Sequence, residues 1–326
     1  MKTIRWGIVG LGGIAHKFVK DLKKVKGAQI TAVASRNSKK AVKFKKLYNA
    51  KYAFGDYTEL FTCKDVDVVY IATPHTFHKS IAIDAMNQGK NVLCEKPLGV
   101  NESEVLEMIS CAKKNNVFLM EALWSRFNPS ICKVKELIEN GGIGNIQYLK
   151  ADFAFYAMDR DTSGRVLSTE LAGGSLLDIG IYPIFLAYLI LGKPDKILAT
   201  SKFHTTGVEV QTSIVLEYEN AQAILYSGFT SKSDTSAEIS GSSGSLYLPG
   251  RWHEASSYIL KKENSIETIE DKSIHKGYTH EIEEVQMCLS KGMLESERWT
   301  HQNSIDLIKI LDQVRKQTGI VFPFEK

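Results

Sequence analysis

A change of pattern at residue 10 constrains this chain more than any other feature. Ile4-Arg5-Trp6-Gly7-Ile8-Val9 is a β-rich apolar run, it breaks at Gly10-Leu11-Gly12-Gly13-Ile14-Ala15, and a helical pattern follows from Ala15 to Lys24. G-x-G-x-x-A between a strand and a helix makes a tight turn whose first helical N–H groups face an anion. Gly10 permits the turn, Gly12 lets the backbone approach a pyrophosphate, and Ala15 is small enough for close helix–strand packing. Gly13 and Ile14 open the helix and join Gly10 and Gly12 as candidate cofactor contacts. Lys2 and Arg5 ahead of an apolar run imitate a signal peptide, but the glycines at 7, 10, 12 and 13 would weaken the helix such a peptide needs.

The next strand, Gln29 to Ala34, ends at Ser35-Arg36-Asn37. An NAD site normally carries an acid here for the ribose 2′-OH, and this chain has none. Ser35, Arg36 and Lys40 suit a 2′-phosphate instead, which points to NADP. The alternative is a solvent-exposed Arg36 and use of NAD as well. The helix Ser38 to Tyr48 is followed by a loop and a short helix ending near Cys63. Val66 to Ala72 is a nearly continuous apolar run, as expected of a strand buried on both faces. Thr73-Pro74-His75-Thr76-Phe77-His78 then lies where a loop would cover the cofactor, so Thr73, Pro74 and His78 are candidate contacts. Asn91 to Cys94 is another strand and closes on Glu95-Lys96-Pro97, where Pro97 ends the ladder. Further helix and strand patterns run from Asn101 to Lys114 and from Val117 to Met120. The alternation predicts a doubly wound parallel sheet. Lys96 stands at the C-terminal end of a parallel strand, where open α/β sheets place their chemistry. By itself it reads more readily as a surface lysine at a strand end.

A length of 326 residues accommodates about two domains of roughly 150 residues. The net charge of +4 does not call for nucleic acid, although the stretch from Lys17 to Lys51 is rich in lysine and holds one acid, Asp21. Five scattered cysteines show neither metal-ligand spacing nor a disulfide framework, so no metal is expected and a reducing cytoplasm is. No membrane span is expected, because Ile181 to Leu191 falls short of the ~20 apolar residues a helix needs.

After Phe127 the alternation stops. A helix from Pro129 to Asn140 leads into strand candidates at 146–155, 196–205, 209–218, 221–229, 237–240, 245–248, 258–262 and 265–269. Close turns between them predict a mostly antiparallel sheet in an α+β domain. One face of it must be covered to avoid a large exposed apolar patch. In Leu171-Ala172-Gly173-Gly174-Ser175-Leu176-Leu177-Asp178-Ile179-Gly180-Ile181-Tyr182-Pro183, Asp178 and Tyr182 would share one face of a helix. Unaided, that pair reads as a capping acid and a core tyrosine. The polar stretch from Ala157 to Ser168 is a lid or a surface excursion.

Gly10-x-Gly12-Gly13, Ala72-Thr73-Pro74-x-x-x-His78 and Glu95-Lys96-Pro97-Leu98 together resemble the Gfo/Idh/MocA family of nicotinamide-dependent oxidoreductases over essentially the whole chain. Glu121-Ala122-Leu123-Trp124-Ser125-Arg126-Phe127-Asn128-Pro129 resembles its branch of dimeric dihydrodiol dehydrogenase, NADP-dependent D-xylose dehydrogenase and glucose-fructose oxidoreductase. The resemblance implies an NADP-binding Rossmann domain over 1–121 and a substrate and dimerisation domain over 122–326, with the last helices packing back on the first. It turns Asp178-x-Gly180-x-Tyr182 into a catalytic motif with a phenol as acid/base. Lys96 would lower the phenol's ordinary pKa of about 10, and Asp178 would bind a substrate hydroxyl or orient Lys96. Glu95, Lys96, Trp124 and Arg126 would line the nicotinamide end, and Phe153, Phe155 and Arg160 the substrate wall. The implied activity is hydride transfer between NADP and a hydroxyl carbon of a sugar or cyclic diol, in a homodimer formed through the open sheet face. A non-catalytic NADP-binding regulator is the rival, and it leaves Lys96, Asp178 and Tyr182 without a purpose.

Overall fold

The computed structural model describes residues 3–254, 257–271 and 277–325; Lys2 lies outside them. The chain forms two compact units, Met1–Phe127 with His275–Ile305, and Asn128–Ile274 with Asp306–Lys326.

The first unit alternates strands and helices: β1 Ile4–Val9, α1 Gly13–Leu22, β2 Ala28–Ala34, α2 Ser38–Tyr48, β3 Tyr52–Phe54, α3 Tyr57–Thr62, β4 Val68–Ile71, α4 His78–Asn87, β5 Asn91–Glu95, α5 Glu102–Asn115 and β6 Leu119–Ala122. The strands form one parallel sheet in the order β3-β2-β1-β4-β5-β6. The order reverses between β1 and β4, which opens a crevice beyond their C-terminal ends. Every residue of β4 is buried, as its unbroken apolar run requires. The sequence reading had a loop where β3 lies. Three residues are too few for a strand period to register, and β3 is held only at the sheet edge against β2.

The first unit extends past the expected boundary at 121/122. Leu123 N–H returns to the Glu121 carbonyl, and the Trp124–Phe127 turn keeps its aromatic rings buried there, with Trp124 5.2 Å from the Tyr278 ring. The helix α8 (Thr279–Ser290) belongs to the same unit. The Tyr278 amide donates to Asp21 Oδ2 at 3.1 Å, and Gln286 Nε2 to the Lys26 carbonyl at 3.1 Å.

In the second unit, α6 (Pro129–Glu139) precedes β7 (Ile146–Ala154). After a long loop come a π-helical turn, Leu176–Gly180, and α7 (Ile181–Leu191). The strands β8 Lys196–Phe203, β9 Glu209–Tyr218, β10 Ala221–Gly228, β11 Ala237–Gly241, β12 Gly244–Leu248, β13 Ser257–Lys262 and β14 Ser265–Glu270 complete the sheet. α9 (His301–Thr318) has its residues divided between the two units at Ile305. The eight strands lie in the order β14-β13-β12-β11-β7-β10-β9-β8, antiparallel except for β7 beside β10.

Register explains the two faces of this sheet. Ile197, Leu216, Ala223, Leu149, Ile239, Leu246 and Leu260 are partners in one row, and all are buried. One residue along, Leu198, Val215, Ile224, Lys150, Glu238, Tyr247 and Ile259 form a row on the opposite face, where Leu198 is 45% and Ile224 46% exposed. A period of two puts successive residues on opposite faces. The segment Thr169–Leu191 is long and apolar enough to cross a bilayer by composition, which the reading of 181–191 alone missed. It is 78% buried inside the protein, as a core helix is.

Candidate active site

The first unit carries a cavity of about 290 Å³ at the crevice, lined by Gly10, Leu11, Gly12, Ser35, Arg36, Lys40, Tyr57, Ala72, Thr73, Pro74, Phe77 and Ile81. Gly10 has φ +84°, and a Cβ there would meet the Ala72 carbonyl oxygen at 2.5 Å. Glycine is therefore required where the β1 turn crosses the end of β4. At Gly12 and Gly13 a Cβ would meet nothing within 4 Å, so the start of α1 faces open space. First-turn amides have no partner within their own helix, and Gly12, the N-cap, supplies no side chain to satisfy them. The turn is thus shaped for an external anion. Arg36 lies over the Phe77 ring at 5.3 Å, which fixes its guanidinium at the cavity. Asn37 caps α2 by accepting from the Lys40 amide at 3.1 Å. Ser35, Arg36 and Lys40 thus stand together where an adenosine phosphate would lie, and the residues present fit NADP. Gly13 and Ile14 are not among the lining residues; their expected contribution is through the amides. Sequence reasoning missed Tyr57, Phe77 and Ile81, which reach the cavity from helix starts and faces without any motif.

Lys96 ends β5 half-buried, followed by a cis bond to Pro97. Its neighbours hold the backbone around it. Glu95 is buried and accepts a hydrogen bond from the Tyr70 hydroxyl. Glu121 is buried and receives the Leu98 amide at 2.9 Å, Trp299 Nε1 at 3.1 Å and the Ser304 hydroxyl at 2.6 Å. Burial pushes the Glu121 carboxyl up from its ordinary range, while these donors and the Lys96 charge pull it down. Glu121 was read only as part of a motif, and its hold on Leu98 depends on the β5/β6 pairing.

Two expectations need correction. His78 was expected at the cofactor, but it is fully buried, with Nδ1 2.8 Å from the Pro97 carbonyl and Nε2 2.9 Å from the Thr73 carbonyl. Its ring nitrogens face carbonyls of the loop after β4 and the loop after β5, burial holds the imidazole pKa below its usual value, and the neutral ring donates its single N–H to one of the two. Trp124 and Arg126 belong to the first unit rather than opening the second. Trp124 is buried against Tyr278, and Arg126 Nε donates to the Arg298 carbonyl at 2.8 Å.

The second unit gathers the other candidates. Asp178 lies in the π-helical turn and Tyr182 in the first turn of α7. Pro183 has no N–H for the Ile179 carbonyl, and just before it the Ile181 amide reaches back five residues to Leu176, widening the helix. Asp178 and Tyr182 are both buried. Asp178 accepts from Arg165 Nη1 at 2.8 Å. The Tyr182 ring lies 5.6 Å from that of Phe153 and 5.2 Å from that of His253, and Phe153 stacks on His253 at 4.4 Å. Phe153 is therefore beside Tyr182. Phe155 instead packs against Phe229 at 5.1 Å, in a core cluster with Val166, Leu167, Ile179 and Val210, and Arg160 covers it at 5.0 Å. Arg165 and His253 went unread because one lies in a loop turn and the other in a three-residue 3-10 helix, both too short to carry a period.

Residues 4–123 match the oxidoreductase family with an NAD-binding Rossmann fold, GFO_IDH_MocA, and residues 131–247 match the GFO/IDH/MocA C-terminal domain. The chain is 35% identical to trans-1,2-dihydrobenzene-1,2-diol dehydrogenase of Xenopus laevis, over 98% of this chain and 99% of that one. It is 34% identical to the scyllo-inositol 2-dehydrogenase (NADP(+)) IolU of Bacillus subtilis, over 99% of each. KijD10, a 3-ketoreductase from Actinomadura kijaniata solved with NADP, superposes with a TM-score of 0.85 at 25% identity, over 97% of this chain and 98% of that one.

Proposed function

The chain belongs to the GFO/IDH/MocA oxidoreductase family, and from that premise we propose that it is an NADP-dependent dehydrogenase acting on a hydroxyl carbon of a sugar or cyclic diol. The observation that carries the cofactor assignment is the cavity that brings Ser35, Arg36 and Lys40 beside the open start of α1. The diol and inositol dehydrogenases among its relatives support the substrate class, and the NADP(+) of the inositol enzyme supports the cofactor.

Gly10, Gly12 and the first amides of α1 would hold the pyrophosphate, and Arg36 with Lys40 the 2′-phosphate. When bound, the nicotinamide accepts a hydride from the carbinol carbon. The chain's own groups must then take the hydroxyl proton and stabilise the oxygen that loses it. We assign the proton to the Tyr182 phenol, the positive charge to Lys96, and a second substrate hydroxyl to Asp178. An ammonium favours the phenolate form of a tyrosine, so Lys96→Ala and Tyr182→Phe should each cut turnover by about 10²–10⁴-fold with NADPH affinity retained. A double-mutant cycle on turnover measures whether the two act as a unit. A panel of aldoses, inositols and cyclic diols with NADP, followed by NADPH absorbance, tests the whole reading. Tight NADPH binding with silence across the panel would favour the non-catalytic regulator.

The exposed row through Leu198, Val215, Ile224, Tyr247 and Ile259 is the surface we assign to a homodimer. Ile224→Glu should then convert a dimer to monomer in sedimentation, and a wild-type monomer at micromolar concentration would refute the assignment. All five cysteines are free, which supports our placing the enzyme in a reducing cytoplasm; a tagged chain found in an oxidising compartment would overturn that.

A further inference from the structure

We propose that Glu209 is a positioning residue for this chemistry: its carboxylate clamps the start of the helical segment that carries Asp178 and Tyr182. The inference rests on the functional reading only for its kinetic consequences.

The geometry is local to the second unit. Glu209, the first residue of β9, is buried. Its Oε2 accepts the Ser175 amide at 2.6 Å, and its Oε1 accepts the Ser175 hydroxyl at 3.0 Å, the Thr212 hydroxyl at 3.2 Å and the Leu176 amide. Ser175 is held from behind by the Ser227 hydroxyl of β10 at 3.0 Å. Two amides and two hydroxyls converge on the two oxygens, and an ionised carboxylate can accept from all four. The two amides are those entering the π-helical turn, so the carboxylate completes the helix start as a capping anion would. Gly174 makes the approach possible. Its φ is +126°, and a Cβ there would lie 2.2 Å from Glu209 Oε2. Gly174 and Ser175 thereby form the socket for a side chain 34 residues from Ser175, while Gly173 is crowded by the carbonyls of Arg165, Val166 and Ser168.

Asp178, two residues beyond Leu176 and paired with Arg165, and Tyr182 are the titratable groups on the clamped segment; the Ser175 and Thr212 hydroxyls face Glu209 from the loop and β9, and the Ser227 hydroxyl of β10 meets that of Ser175. Burial pushes the Glu209 carboxyl up to about 7 against the pull of its four donors. Protonation below that value replaces one acceptor with a donor and loosens the clamp. Stability runs the other way. A carboxyl whose folded pKa is raised contributes stability that is fully present below its unfolded pKa and lost as pH rises through about 7. Acid therefore favours the folded chain while weakening the geometry that turnover needs.

The test uses the full-length chain with NADP. Glu209→Gln puts an amide N–H₂ against at least one of the donors. It should lower kcat at least tenfold with NADPH affinity unchanged within twofold, because a displacement of about 1 Å can cost ~10²-fold. Unchanged kcat would overturn the proposal. Hydrogen exchange of the peptide spanning 171–182 is read in parallel and needs no substrate. It should quicken at least tenfold in Glu209→Gln while the β1–α1 peptide keeps its protection, and unchanged exchange would overturn the clamp even if no substrate is found. If Glu209→Gln fails to fold, Thr212→Val removes one donor and keeps the shape. The acid limb of its kcat profile should move to higher pH, and an unmoved limb would refute the role.

Discussion

The chain builds two helix starts from glycine, and they are filled in opposite ways. At Gly10-Leu11-Gly12-Gly13 the first amides of α1 face a cavity with no side chain within reach of Gly12 or Gly13. At Gly173-Gly174-Ser175 the amides entering the π-helical turn are taken by Glu209 from the same chain. Each is an anion cradle in the sense that unsatisfied amides and the helix dipole favour negative charge. One is kept open for a phosphate that comes and goes. The other is closed by a built-in carboxylate, which suits a segment that must present Asp178 and Tyr182 in fixed places. A third start, at Gly277-Tyr278, sharpens the contrast. Glu281 lies in the first turn of α8 and is fully buried, yet neither of its carboxylate oxygens has a hydrogen-bond partner among the described residues.

The sharpest way to break this contrast is to close the open cradle. Gly12 has φ −87°, which any residue adopts, and space around it. Gly12→Glu should leave the fold intact and weaken NADPH by ~10³-fold or more, about 4 kcal/mol, in a fluorescence titration. Retained affinity would mean that the α1 start does not hold the phosphates. Next is the closed cradle. Gly174→Ala combines a left-handed backbone with a clash against Glu209, and about 2–4 kcal/mol of stability should be lost in urea unfolding. A neutral result would mean the socket is loose.

Arg36→Ala tests the far end of the open cradle. It should weaken NADPH about 10–100-fold and NADH little, some 1.4–2.7 kcal/mol of discrimination; an unchanged ratio removes the specificity argument. The smallest effect is expected at the third start. Burial and the nearby Glu95 and Asp21 push the Glu281 carboxyl well above its ordinary range. The stability it contributes is present below the unfolded pKa near ~4.3 and is lost as pH rises through the folded value. Glu281→Leu should therefore raise stability at pH 8 by ~1–2 kcal/mol and flatten the pH dependence of thermal unfolding. A lower melting temperature at that pH would show that the acid has a partner in solution.

Much of the fold was legible because long strands and helices carry a period. The strand runs of the second unit were read to within a few residues, since alternate residues there differ in burial. The Tyr52–Phe54 strand was not legible, because an edge strand of three residues has no period and is fixed by pairing alone. The candidate site divides in the same manner. Gly10, Gly12, Ser35, Arg36, Lys40, Thr73 and Pro74 could be placed at one cavity because each ends a strand or opens a helix, and in a parallel sheet such ends converge. His78 looked like a contact because it also opens a helix, but the position of a helix start does not reveal which carbonyls its side chain will meet. Arg165, beside Asp178, comes from a loop turn and His253, beside Tyr182, from a three-residue 3-10 helix, and neither segment is long enough to show a period.

The amino-acid sequence by itself determined the open cradle. A strand, a glycine turn and a helix lie within the nineteen residues from Ile4 to Leu22, and local conformational preference assembles them. Only the tertiary structure decided the closed one. Glu209 reads along the chain as an ordinary first residue of a strand. It reaches Ser175 because β9 pairs with β8, where Glu209 stands opposite Phe203 at a register shift, and a slip of one residue would turn its carboxylate to the opposite face. Gly174 announced that something must come close. What comes close was set by strand pairing across the sheet, which no local pattern encodes.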